Sequence, residues 1–165
     1  MSTFDELLGS NERYAQDFNQ GDLTAPPKRK VAVLTCMDAR LHPETFLGLK
    51  LGDAHVIRNA GGKVTEDVLR SLVISQRMLG TQEVIVIQHT DCGMMSTTDE
   101  GIAEKVKEDL GVNTNLDFLT FENLRESVES DVGKLRNTSL IPDDVPIIGA
   151  IYDVKSGQVE EVTRV

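Results

Sequence analysis

The chain has 165 residues, 39% of them apolar and 27% charged, which fits one globular domain and excludes a disordered or membrane-embedded chain. Lys and Arg number 17 against 27 Asp and Glu, a net charge of −10, which opposes nucleic-acid binding, where a basic face is needed. Apolar runs such as Val84 to Ile87 are too short to span a bilayer. Asp5 and Glu6 stand where a secretory leader needs basic residues, and two cysteines do not make a disulfide scaffold, so the chain reads as cytoplasmic.

Phe4, Leu7, Leu8, Tyr14, Ala15 and Phe18 recur at helical spacing and predict an amphipathic helix over 4–18. Asn19 to Lys30, with Gly21 and Pro26-Pro27, reads as a linker. Residues 1–30 are therefore expected to form an arm in front of a single α/β domain over 31–165. The arm's apolar stripe needs a cover, either its own domain or a partner subunit.

Val31 to Leu34, ending at Thr35-Cys36, predicts a first buried strand. A loop and a short helix follow over 37–53, with Pro43 in the first turn. Ala54 to Arg58 predicts a second strand, and Asn59 to Gly62 a loop with unusual backbone angles. Thr65 caps the next helix, Glu66 and Asp67 suit its first turn, and Gly80 ends it. Glu83 to Gln88 is continuously apolar at its centre, as a strand covered on both faces is. Two further helices are expected near 98–110 and 117–135, the second marked by Phe118, Phe121, Leu124, Val128, Val132 and Leu135. Val145 to Val154 reads as a fourth strand, and Lys155-Ser156-Gly157 as a turn into an edge strand over 158–162. The fold expected is a mainly parallel sheet of about four strands with an antiparallel edge strand and helices on both faces.

Cys36 falls just past the first strand, and His89 and Cys92 just past the third. Open α/β sheets bind ligands outside such strand ends. Two lone cysteines are ordinarily small buried hydrophobes, but joined by a histidine at the same sheet edge they form a zinc-ligand set. Three ligands leave a position for water or a carboxylate, the pattern of a catalytic rather than a structural zinc. Such a zinc lowers the pKa of bound water and yields hydroxide near neutral pH. Asp38 and Arg40 lie beside the first ligand. An arginine keeps a neighbouring carboxylate ionised, and that carboxylate can orient the hydroxide or swing onto the metal as its fourth ligand. Arg58 and Asn59 to Gly62 are expected to line the same crevice, with Ala60 and Gly61 leaving room for a small substrate. The N–H of Gly93 can face an oxyanion. His42 can relay protons, though a solvated role is the commoner one, and His55 in a strand reads as structural. Asp91, between two ligands, reads either as an acceptor for His89 or as a helix cap.

Together V-L-T-C-M-D-A-R, G-D-A-H-V-I-R-N-A-G-G and V-I-V-I-Q-H-T-D-C-G-M resemble the β-class carbonic anhydrases, strongly over 31–95, with the 139–157 tail similar to compact prokaryotic members. The resemblance implies one zinc per chain on Cys36, His89 and Cys92, with a catalytic dyad of Asp38 and Arg40. It implies reversible hydration of carbon dioxide to bicarbonate and a proton. It also implies a homodimer or an assembly of dimers, with the N-terminal helix laid across the partner. Hydrolases of carbonyl sulfide or carbon disulfide share these motifs and are the rival enzymes. A non-catalytic zinc module is the rival from another class, and it has no need of the dyad. Some members hold an inhibitory bicarbonate with Trp, Arg and Tyr. Arg58 matches that arginine, but Val33 stands at the tryptophan position and the chain has no Trp.

Overall fold

A computed structural model describes residues 2–165. Five strands form one sheet in the order β2-β1-β3-β4-β5, where β1 is Val31–Cys36, β2 Ala54–Asn59, β3 Glu83–His89, β4 Ile147–Tyr152 and β5 Val159–Arg164. β1 to β4 run parallel and β5 is antiparallel to β4. The sheet is thus the expected mainly parallel one, with four parallel strands and an antiparallel edge. After β1 the chain turns to one side for β2 and then crosses to the other for β3, so the β1–β3 boundary is the switch point of the sheet.

Alternation along the strands divides the core. Ala32, Leu34, Val84, Val86 and Ile147 face two helices, α3 (Glu66–Arg77) through Val68 and Leu72, and α5 (Leu124–Arg136) through Val132 and Leu135. On the opposite face Val31, Val33, Ile87 and Ala150 pack under Phe46 and Leu47, at the end of the short α2 (Pro43–Phe46). Phe46 stacks on Tyr152 with ring centroids 4.3 Å apart. The local signals hold at α2, which carries Pro43 in its first turn, and at α3, where the Thr65 hydroxyl accepts the Val68 amide. Among the described residues no helix is long and apolar enough to cross a membrane.

The bounds of α5, β4 and β5 differ most from the sequence reading. The helix expected over 117–135 begins only at Leu124. The Asp99 carboxylate, in the first turn of α4 (Asp99–Leu110), takes the amides of Phe118 at 2.6 Å and Thr120 at 3.0 Å. Leu119 between them has a left-handed φ of 59°, and Asn123 then caps α5 by accepting the Glu126 amide. Phe118 and Thr120 therefore spend their amides on Asp99, and Phe121 donates to the Met94 carbonyl, instead of making a helical turn. β4 is shorter than 145–154: Pro146 at its start has no N–H to give, and the Asp153 carboxylate at its end closes the turn to β5 on the amides of Lys155 and Ser156. β5 runs to Arg164, two residues beyond the expected end.

The N-terminal helix α1 (Thr3–Gln16) is closed by a capping box in which Ser2 and Asp5 bond each other's amides. None of its residues is buried, and Phe4, Leu7 and Tyr14 are each more than half exposed. Its own domain leaves the apolar stripe uncovered.

α5 lies close on β4 because Gly149 has no side chain. A Cβ there would sit 2.6 Å from Val128 Cγ1, 2.8 Å from Thr163 Cγ2 and 2.9 Å from Val132 Cγ2. These neighbours are stiff β-branched side chains. Gly149→Ala is therefore expected to lower stability by about 1–3 kcal/mol, the range for overpacking, read as a lower urea midpoint.

Candidate metal centre

Cys36 and His89 are the last residues of β1 and β3. Thr35 pairs with Ile87 in the ladder, so the two ends emerge side by side. Cys92 follows in the loop that enters a 3-10 turn, Gly93–Met95. All three are buried, and their ligand atoms lie within 4.8 Å of one another.

The imidazole is oriented from one side. His89 Nδ1 lies 2.9 Å from the Thr90 carbonyl. A carbonyl only accepts, so Nδ1 carries the proton and Nε2 presents its lone pair. Nε2 is buried and has no hydrogen-bond partner, an arrangement that costs about 1–3 kcal/mol unless something else takes the lone pair. A metal ion bound by two sulfurs and this nitrogen would take it. The donor set, two thiols and one imidazole, fits zinc.

The two sulfurs compete for a proton, and Cys92, aided by the Asp38 and Gly61 amides, holds the Cys36 thiol well below its usual range against the opposing effect of burial. Cys92 is pushed above the usual thiol range, because its proton is held on Cys36 and because it is buried. Burial works against a charge on His89, but the neighbouring Cys36 and Asp38 outweigh it and leave the imidazole above its ordinary value.

The turn Ala60–Gly62 lies directly under the β1 end. Gly62 has φ 62°, and a Cβ there would meet Cys36 N and Thr35 C at 3.0 Å, so only glycine fits. Asn59 clamps the turn, accepting the Lys63 amide and donating to the Lys63 carbonyl, both at 2.8 Å. Gly61 is packed between Met94 and Phe121, half-buried Ala60 opens the turn, and Gly93 borders open space. Leu41, Phe46, Met94, Phe121, Tyr152 and Val154 make an apolar wall around the two cysteines.

Asp38 faces Arg40 with both oxygens. Arg40 Nε donates to Oδ1 at 3.0 Å and Nη2 to Oδ2 at 2.8 Å. The bonds from Arg40 hold this carboxyl well below the usual carboxylate range despite its partial burial. Oδ2 is 3.8 Å from His89 Nε2, so the ligand set and the carboxylate share one space. Arg58 does not line that space with its charged end. It donates to the carbonyls of Cys36 at 3.0 Å and Asp38 at 2.8 Å and so fixes the loop from behind. Asp91 neither bonds His89 nor caps a helix: its carboxylate accepts from Arg40 Nη1 at 2.7 Å and its carbonyl from Nη2 at 2.8 Å. His42 is exposed, beside Thr45 and Glu44, and His55 bonds Ser75, which bonds Thr81. Neither reaches the centre.

Comparison with known proteins agrees with this geometry. A family model described as carbonic anhydrase matches residues 31–159. The chain is 39% identical to β-carbonic anhydrase 1 of Mycobacterium tuberculosis over 163 residues, 99% of each protein. It is 37% identical to a carbon disulfide hydrolase of Acidianus, across 85% of this chain and 80% of that one. The crystal structure of a carbonic anhydrase from Streptococcus mutans superposes with a TM-score of 0.96 at 50% identity, covering 99% of both chains.

Sequence reading missed a buried charged network behind the centre. Lys63 Nζ reaches the Asp131 carboxylate at 2.8 Å and Ser127 Oγ at 2.6 Å, and lies over the Phe121 ring. Asp131, fully buried on α5, also accepts from Gln88, next to the ligand His89. Burial pulls the Lys63 pKa down, and Asp131 opposes that pull. Removing one partner strands a buried charge. Asp131→Ala is therefore expected to cost about 3–5 kcal/mol in urea unfolding, and Lys63→Met/Asp131→Leu together far less.

Proposed function

This chain belongs to the β-carbonic anhydrase family, and from that premise we propose that it catalyses the reversible hydration of carbon dioxide to bicarbonate and a proton. The observation that carries the reading is an ionised Asp38, gripped by Arg40, 3.8 Å from the unpartnered nitrogen of a Cys-His-Cys set. In this reading Cys36, His89 and Cys92 hold one zinc ion per chain. Zinc so held lowers the pKa of water at its open position and supplies a nucleophile near neutral pH.

The chain's own residues do the rest. Asp38 stays ionised, accepts a hydrogen bond from the attacking water or hydroxide and so fixes the direction of its lone pair. The Arg40 amide and Nε both donate to Asp38 Oδ1 and Nη2 donates to Oδ2, which keeps the carboxylate turned to the guanidinium and away from the metal position. Ala60, small and half-buried, leaves room for a linear triatomic molecule, and Gly61 lets Met94 and Phe121 pack close beside that space. The wall of Met94 and Phe121 suits an apolar substrate. Gly93, open on its outer side, offers its N–H to the oxygen that gains charge.

Carbon disulfide or carbonyl sulfide hydrolysis is the second reading, favoured by the likeness to the Acidianus enzyme. A non-catalytic zinc module has no use for the Asp38–Arg40 pair. The uncovered stripe of α1 supports a homodimer or an assembly of dimers in which residues 1–30 form an arm on the partner and 31–165 the catalytic domain. Two free thiols support a cytoplasmic setting.

Purified protein should contain about one zinc per chain and hydrate carbon dioxide faster than it hydrolyses carbon disulfide or carbonyl sulfide in parallel assays; the reverse ranking moves the assignment to the second reading. Cys92→Ser should lose the zinc, and wild-type protein should release it in acid, because each ligand must give up its proton to bind. Asp38 is already ionised well below neutrality, so the rise in rate with pH should follow the ionisation of water and not of Asp38. Arg40→Ala should lower kcat roughly 10–100-fold with zinc retained. For assembly, deletion of residues 1–20 should lower the sedimenting mass; an unchanged mass rules out the arm.

A further inference from the structure

We propose that Asp91 is a positioning residue for this reaction, acting through Arg40 to keep Asp38 off the metal position. The inference rests on the carbonic anhydrase reading. Arg40 makes four side-chain hydrogen bonds across the crevice, two to the Asp38 carboxylate and two to Asp91. The Asp38 half alone would be a pair two residues apart on an exposed arginine, with Oδ1 tied to the backbone by the Arg40 amide at 2.9 Å and Oδ2 held by the guanidinium alone. The Asp91 half ties the guanidinium to the other strand end, 51 residues away in sequence. It does so with a carboxylate and a backbone carbonyl at once, which fixes both the position and the plane of the guanidinium.

The backbone is shaped for this double contact. Asp91 has φ 55°, a left-handed conformation that non-glycine residues seldom adopt, although Asp and Asn adopt it more readily than others. The residue lies between the ligands His89 and Cys92, so the same loop that presents the metal ligands presents the anchor for Arg40. Geometry of the ligands and orientation of Asp38 are thereby linked through one side chain. With the anchor gone, the guanidinium is no longer held over the crevice, Oδ2 loses its fixed partner, and that oxygen becomes a competitor for the open position.

Asp91→Gly tests this without straining the turn, because glycine accepts the same φ. Asp91→Asn keeps an acceptor oxygen for Nη1 and tolerates the left-handed backbone. Zinc-loaded Asp91→Gly is expected to bind the full equivalent of zinc and to melt near wild type, with kcat down roughly 10-fold and KM little changed. Asp91→Asn should recover most of that loss. Arg40→Ala/Asp91→Gly should be no slower than Arg40→Ala, because a residue that acts only through Arg40 has nothing left to act on. A second readout does not use turnover. In cobalt-loaded protein, thiocyanate binding followed by visible absorption reports how open the fourth position is, and Asp91→Gly should weaken it several-fold. A wild-type kcat in Asp91→Gly, additive losses in the double variant, loss of zinc, or unchanged thiocyanate affinity overturns the proposal. If the wild-type protein fails to hydrate carbon dioxide, the underlying reading fails instead, and the cobalt titration still judges the role of Asp91.

Discussion

Backbone pairing between β1 and β3 is the constraint on which the centre depends. Two parallel strands in fixed register bring their last residues to the same edge, and here those residues are Cys36 and His89. No side-chain contact achieves this. The ladder does it, and the side chains inherit the result. Gly62 confirms how tight the arrangement is, since its turn presses against the backbone of Thr35 and Cys36 with no room for a methyl group. The strand ends, the glycine turn and the loop to Cys92 make one rigid frame, and the apolar wall closes over it.

Onto that frame the chain adds a few well-placed cations. Its net charge is −10, yet the residues around the centre are organised by Arg40, Arg58 and Lys63. Arg58 holds backbone carbonyls, Arg40 holds carboxylates on two loops, and Lys63 neutralises Asp131 in the core. Each links elements that the sheet alone leaves independent. Arginine suits the first two positions because its planar fork reaches two acceptors at once. Lys63 suits the third because one compact charge can meet a carboxylate, a hydroxyl and a ring face together.

Much of this was legible in the sequence. Buried strands were visible as apolar runs, so the ends of β1 and β3 could be located, and with them Cys36, His89 and Cys92. The Asp38–Arg40 pair was visible because its members are two residues apart. Asp91, Asp131 and Asp99 were not legible, and for one reason: each acts on a partner far along the chain, and no local pattern encodes such a pairing. Asp99 shows the cost most clearly. Phe118 and Phe121 do carry helical spacing with Leu124 and Val128, but a carboxylate from another helix captures the amides of 118 and 120 and ends the helical run before it starts. Arg58 was placed in the crevice by its position after β2, and only the three-dimensional arrangement turns it to the back of the loop.

The switch-point layout also decides when the centre can exist during folding. β1 cannot meet β3 until the intervening chain, about 50 residues carrying β2 and α3, has been closed into a loop, and such closures delay parallel sheets. Local structures such as α3 or the β4–β5 hairpin need no such closure. Cys36 and His89 therefore come together only when β1 pairs with β3, the same step that joins the two strands' residues in the helix-covered core. A nascent or partly unfolded chain offers a metal only scattered thiols and a lone imidazole, and the completed ligand set belongs to the finished sheet.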